Sequence, residues 1–281
     1  MPELPEVETI VRRLRGVLPG KSIAGMEVLH HKSFVGEMEL VVGQTIVAVE
    51  RRSKIISIEL DNGLFLLIHL KMTGQLLYED GSQRLGGGHP TADFMENLPS
   101  VHTRVILTFS DETVLYFNDQ RIFGWIHLVD SAGKMREFAR LGPDVTDDGI
   151  DSELWIHQLG RRSVPIKQVV MDNAVLAGVG NIYASDALHL AKIDPARQAK
   201  SLSREEAVCL LHAMQTVIAL GIEYGGATIH HFATIEGLTG HYQDIRRVYA
   251  RENEPCAECN TTIIRIKQAG RSTFYCPSCQ K

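Results

Sequence analysis

The chain has 281 residues, enough for two domains or for one domain with a small module attached. Its 44% hydrophobic and 22% charged residues are the balance of an ordinary globular protein, and no run approaches the roughly 20 apolar residues of a membrane span. The net charge is −5, and the first residues are acids and prolines rather than a basic segment followed by an apolar run, which argues against a secretory signal and predicts a cytoplasmic protein.

The charge is uneven. Residues 1–130 carry 12 Lys/Arg against 17 Asp/Glu, whereas residues 241–281 carry 7 against 4. An anionic partner would therefore meet a local basic patch near the C-terminus on an otherwise acidic molecule.

In chain order, Val7, Ile10, Val11 and Leu14 fall at helical spacing, with Pro5 in the first turn and Glu6 and Glu8 at the positive end. The pattern predicts a helix over 5–15, stopped near Gly16. Short strands follow at 45–51, 55–60, 64–70, 105–110 and 113–117, with Asp61-Asn62-Gly63 and Asp111-Glu112 as turns. Strands this short and regular predict a β-sandwich or barrel. Residues 79–101 read as a long polar loop, and residues 131–150 as a polar connector. Helices are expected at 165–176, 181–190 and 204–220, with a short piece near 226–232. Strand character returns over 246–281. The expected domains are 1–130, a linker at 131–150, a helical domain at 151–240 and a metal module at 241–281.

Four of the five cysteines form two knuckles, Cys256-x2-Cys259 and Cys276-x2-Cys279, separated by 16 residues. This spacing supplies four thiolates for one tetrahedral zinc, and with all four positions protein-derived the ion is structural. The fifth, Cys209, sits in a helical pattern and is expected to be a buried core thiol. His30-His31 and His230-His231 read as loop or surface histidines. Between the knuckles, Gly270-Arg271-Ser272-Thr273 marks a hairpin tip where Arg271 either meets a phosphate or is simply solvated.

Pro2 follows the initiator Met1, and a small second residue normally permits Met removal. Pro2 would then be a free secondary amine, titrating about two units below a lysine and partly uncharged near neutrality. Such an amine can attack a sugar C1′ and form an iminium, with Glu3 and Glu6 close enough in sequence to move protons. The same residues could equally begin a helix. Arg51-Arg52-Ser53-Lys54 is either a basic turn in solvent or a lysine aimed into a cleft. Gly178-Val179-Gly180-Asn181 is either a tight interhelical turn or a helix start open to a phosphate.

These segments together resemble the bacterial formamidopyrimidine-DNA glycosylase family. The resemblance runs through Pro2-Glu3-Leu4-Pro5-Glu6-Val7-Glu8-Thr9, Arg51-Arg52-Ser53-Lys54, His69-Leu70-Lys71-Met72-Thr73-Gly74, Asp119-Gln120-Arg121-Ile122-Phe123-Gly124, Met171-Asp172-Asn173 with residues 178–184, and the closing Tyr275-Cys276-Pro277-Ser278-Cys279-Gln280. It favours the formamidopyrimidine branch over the endonuclease VIII branch. It implies an α+β architecture: an N-terminal β-sandwich with an N-terminal helix, a helix–two-turn–helix domain and a C-terminal zinc-finger hairpin, with damaged double-stranded DNA bound between the halves of a monomer. It implies a bacterial, nucleoid-associated enzyme that removes oxidised purines and then cleaves the strand by β- and δ-elimination.

The roles implied are Pro2 as nucleophile, Glu3 as acid/base, Glu6 in support, and Lys54 and Arg271 at the reacting nucleotide. Asn181 and Arg271 would hold phosphates, His102 would contact DNA, and Met72, Arg121 and Phe123 would fill the space left by the extruded nucleotide. Arg121 offers only donors, which suits an orphaned cytosine better than an orphaned adenine. The chain departs from the family at Ser53 and Ala250, where Gly is usual, and at Ile122 and His230, where Arg is usual. These departures bear on lesion preference.

Overall fold

The computed structural model describes residues 2–89, 97–228 and 240–281. The chain divides into two compact units, Met1–Ala139 with Gly225–His241, and Arg140–Tyr224 with Tyr242–Lys281.

The first unit begins with α1 (Leu4–Arg15). Leu4, Val7, Ile10, Val11 and Leu14 are at most 1% exposed, so one face of the helix is wholly buried. Burying each such side chain stabilises by roughly 1.5–3 kcal/mol. Ten strands follow: β1 (Ile23–Val28), β2 (Phe34–Val35), β3 (Ile46–Arg52), β4 (Ile55–Leu60), β5 (Phe65–His69), β6 (Gly74–Glu79), β7 (Arg84–Gly88), β8 (Thr103–Phe109), β9 (Val114–Asp119) and β10 (Trp125–Val129). They form two five-stranded sheets, ordered β1-β8-β9-β6-β7 and β2-β10-β5-β4-β3. All neighbours are antiparallel except β2 and β10. Ile56, Ile58, Leu66 and Ile68 from one sheet, Leu76, Val105, Leu107 and Phe117 from the other, and the apolar face of α1 share one core. This is the expected sandwich.

The glycine-rich part of residues 79–101 is not all loop. Gly86-Gly87-Gly88 ends β7, paired in register with Leu77, Leu76 and Gln75 of β6. A Cβ on Gly86 would lie 2.0 Å from the Leu76 carbonyl oxygen, and one on Gly88 2.4 Å from that of Gly74. A Cβ on Gly87 would lie 3.2 Å from Ile10 of α1. The glycines are the condition for strand pairing and helix packing here, not a sign of irregularity. Residues 90–96 of the expected loop lie outside the described residues.

The connector expected over 131–150 contains the two-turn helix α2 (Ser131–Phe138), capped by Asp130, whose carboxylate accepts from Gly133 N at 2.7 Å.

The second unit contains α3 (Ser152–Gly160), α4 (Ile166–Val170), α5 (Asn181–Leu190), α6 (Arg204–Glu223) and the hairpin β11 (Ile264–Gln268) with β12 (Arg271–Tyr275). The sequence reading missed α3, which is capped by Asp151 and tied to α6 by the Trp155 indole N–H on the Ala207 carbonyl at 2.8 Å. It also made α4 too long. The Asp172 and Asn173 side chains accept from Ala174 N and Gly178 N at 3.0 and 3.1 Å, and these local bonds replace the helical ladder. The boundaries of α5 are as expected.

By length and composition α6 could cross a membrane. Its Leu210, Leu211, Met214, Val217 and Ile218 are instead buried within the unit, and a Ser203–Glu206 capping box sets its start. Cys209 is exposed, contrary to expectation, because it falls on the face of α6 opposite this stripe. His31 is exposed, as a surface histidine should be. His230, His231 and the greater part of the short helix expected near 226–232 lie outside the described residues.

Candidate functional site

In the first unit, Pro2 and Glu3 are buried at the start of α1. Glu6 reaches back one turn, its Oε2 accepting from Glu3 N at 2.6 Å, while its Oε1 accepts from Ala227 N at 2.7 Å. One carboxylate thus fixes the chain start and the segment after Gly226. A Cβ on Gly226 would lie 2.8 Å from Glu6, and the residue has φ +87°. Only glycine admits this approach.

Lys54 lies in the turn between β3 and β4 and is 7% exposed. Arg51 holds that turn, donating from Nε to Glu8 on α1 at 2.8 Å and from Nη1 to the Ser53 carbonyl at 2.9 Å. Burial pushes Glu8 up, but its bonds to Arg51 and Arg12 outweigh burial and leave it below its ordinary value. Ser53 has φ +55° and Ala250 φ +55°, so at these two departures a side chain occupies backbone that favours glycine.

His69, at the end of β5, is pushed down to about 3 by burial and by the charges of Lys71 and Lys54. The ring is neutral near pH 7, and its Nδ1 accepts from Lys71 N at 3.0 Å. Beyond it Met72 is 39% exposed. Phe123 is 51% exposed, and the Arg121 guanidinium lies 4.6 Å above its ring. Large apolar groups held in solvent next to a cation are what a gap in a base stack would accept. His102 is half-buried, and its carbonyl accepts from Asp119 N at 2.9 Å.

In the second unit, Asn181 opens α5 and donates from Nδ2 to the Ser272 carbonyl at 3.1 Å. Lys167, 2% exposed, donates to the same carbonyl at 3.1 Å and to Thr273 Oγ1 at 2.9 Å. The sequence reading missed Lys167, which looked like one more polar residue in a helix. Arg271, first residue of β12, is exposed. Among the described residues its guanidinium makes one hydrogen-bond contact, with Met171 Sδ at 4.0 Å. A concavity of about 220 Å³ lies beside it, lined by Lys167, Gln168, Met171, Gln268 and Ala269. Asn181 and Arg271, 90 positions apart, are thus joined through the backbone of β12.

The sulfurs of Cys256, Cys259, Cys276 and Cys279 lie within 4.8 Å of one another. Three measured separations are 3.3, 3.5 and 3.8 Å. A tetrahedron with Zn–S bonds of about 2.3 Å has S–S edges of about 3.8 Å, so the set fits one zinc. His189 Nε2 stands 3.3 Å from Cys256 Sγ, placed to donate to a metal-bound thiolate. The segment entering the module is fixed by Asp186 of α5. Its carboxylate accepts from the Tyr242 hydroxyl and from the backbone N–H groups of Arg247, Val248 and Tyr249 at 2.9–3.1 Å.

Residues 1–126 match the formamidopyrimidine-DNA glycosylase N-terminal domain, residues 141–233 the formamidopyrimidine-DNA glycosylase H2TH domain, and residues 253–281 a zinc finger found in FPG and IleRS. A formamidopyrimidine-DNA glycosylase of Pelotomaculum thermopropionicum is 38% identical over 100% of this chain and 99% of its own length. The chain belongs to the formamidopyrimidine-DNA glycosylase family. A family member from Chloroflexus aggregans is also 38% identical, over 100% and 98% of the two chains. Among solved glycosylases, the Thermus thermophilus FPG protein superposes with a TM-score of 0.86 at 35% identity, covering 99% and 98% of the chains. A Lactococcus lactis FPG mutant in complex with Fapy-dG DNA gives 0.88 at 28% identity, with 100% coverage of each. The chain is a glycosylase of this family with a structural zinc site.

Proposed function

We propose that this protein excises oxidised purines, 8-oxoguanine and formamidopyrimidines, from duplex DNA and then cleaves the strand. The carrying observation is the start of α1, where Pro2 and Glu3 are buried and the Glu3 N–H is held by Glu6. After loss of Met1, the Pro2 amine attacks C1′ as the glycosidic bond breaks and the base leaves with a proton. The resulting iminium acidifies the C2′ proton. Its removal expels the 3′ phosphate by β-elimination, and a second elimination expels the 5′ phosphate. Glu3 moves the protons, Glu6 supports the site, and Lys54 contacts the nucleotide.

Met72, Arg121 and Phe123 fill the vacated stack and His102 contacts the strand. Asn181 and Arg271 hold flanking phosphates, Arg271 acting next to the reacting nucleotide. Arg121 favours lesions paired with C over the same lesions paired with A by about ten- to a hundredfold, as one good bidentate contact would. We assign the domains as 1–130, 131–150, 151–240 and 241–281, and the protein as a cytoplasmic, nucleoid-associated monomer.

Intact mass first establishes whether residue 2 is the N-terminus. Borohydride added during turnover should then trap a covalent protein–DNA adduct at Pro2, and Pro2→Gly should lose most base excision. An adduct mapping to Lys54 would overturn the assignment.

A further inference from the structure

Met72, Arg121 and Phe123 sit on two loops that are separate in sequence, and each loop contains backbone that ordinary residues avoid. Lys71, before Met72, has φ +49°. Ile122, between Arg121 and Phe123, has φ +55°, and a β-branched residue there is a marked outlier. Such conformations persist where the surroundings over-determine them.

Asp119 supplies that determination. It ends β9 and is 0% exposed. Its Oδ2 accepts from Phe123 N at 2.8 Å and Gly124 N at 2.6 Å, and its Oδ1 from Arg121 N at 3.2 Å. Among the described residues no cation pairs with it, so these amide dipoles and one hydroxyl stabilise its charge. That hydroxyl belongs to Thr73, adjacent to Met72 and 7% exposed. Thr73 Oγ1 also accepts from Arg121 N at 3.0 Å. The Met72 turn is closed on its own side by Gly74 N on the Leu70 carbonyl at 2.8 Å.

We propose that the Thr73–Asp119 pair is a positioning element that locks the Met72 turn and the Arg121–Phe123 loop into one wedge, formed before DNA arrives. The inference rests on the wedge role given above. Neither residue touches DNA in this account. They act by removing the ordering cost that three exposed side chains on mobile loops would otherwise add to nucleotide extrusion.

The test compares single-turnover excision from an 8-oxoguanine:C duplex with strand cleavage of a single-stranded abasic oligonucleotide, which has no stack to wedge. Thr73→Val keeps the shape and removes the hydroxyl. It should slow the duplex reaction about ten- to a hundredfold more than the single-stranded one, the effect expected for a lost hydrogen bond to a buried charge. Thr73→Ser should restore the wild-type ratio. In a chain already carrying Met72→Ala, Arg121→Ala and Phe123→Ala, adding Thr73→Val should leave the ratio unchanged.

Equal losses on the two substrates, no loss on the duplex, or a full Thr73→Val effect in the triple background would each overturn the pair's role. Hydrogen exchange on the wild type needs no variant: the amides of Arg121, Phe123 and Gly124 should exchange far more slowly than that of exposed Asn62, whose neighbours Asp61 and Gly63 are bonded to the Thr45 and Leu60 carbonyls, and equal rates would overturn the proposal. A wild type inert on both substrates would instead overturn the underlying functional reading.

Discussion

Glu8 on α1 accepts a hydrogen bond from Arg51 on β3 at 2.8 Å, so the helix that follows Pro2 and the turn bearing Lys54 are tied through one guanidinium. The two side chains are 14% and 8% exposed, which shields the pair from solvent screening. Glu8 titrates below its ordinary value, so the contribution is complete above the unfolded carboxyl's pKa and is lost as pH falls through the folded one. Glu8→Gln should lower stability by about 1–2 kcal/mol at pH 7, with the gap to wild type closing at about pH 4 and below. Denaturant unfolding across that pH range checks it, and a gap independent of pH would count against the pair.

Gly226 predicts a separable effect. Gly226→Ala adds a Cβ against the Glu6 carboxylate and also strains the backbone. Gly20 has nearly the same φ, +86°, but open space around it. Each variant should lose about 1–3 kcal/mol from strain, and Gly226→Ala alone should also lose base excision. Equal activity of the two purified variants would show that the Glu6 contact does not matter to the site.

The metal module predicts about one zinc per chain by elemental analysis. Cys256→Ser should release the ion and abolish DNA binding, because β12 carries Arg271 and ends beside the Cys276 ligand. Metal-free protein with full activity would contradict the assignment.

Arg271 predicts a change in salt dependence. With its guanidinium exposed, Arg271→Ala should weaken binding to all duplexes about equally and reduce the slope of log K against log salt by about one. An unchanged slope would leave it an ordinary solvated arginine.

The sequence was most readable where one short pattern carries the whole physical requirement. The four cysteines specify their tetrahedron by spacing alone, and α1 is specified by four apolar positions and a proline. It was least readable where a residue's meaning depends on a distant partner. Gly86-Gly87-Gly88 resembles a loop until Leu76 and Ile10 are known to lie against it. Lys167, Asp119 and Asp186 are ordinary polar letters whose roles arise from backbone groups that only the fold brings near. The end of α4 depended on whether Asp172 and Asn173 would bond locally, a contest that periodicity does not register.

The glycines of β7 also bear on how this protein tolerates change. Where Ile10 meets Gly87, the spacing between α1 and the sheet is gauged by the helix side chain alone, because the strand presents bare main chain. Elsewhere in the sandwich a methyl group can be gained in one layer and lost in the next as sequences drift, and the layers shift to suit. At this seam only the helix side has a side chain to change. A methyl group added or removed at Ile10 therefore has no facing side chain to absorb it, and passes straight into the height of α1 and of the chain start it carries.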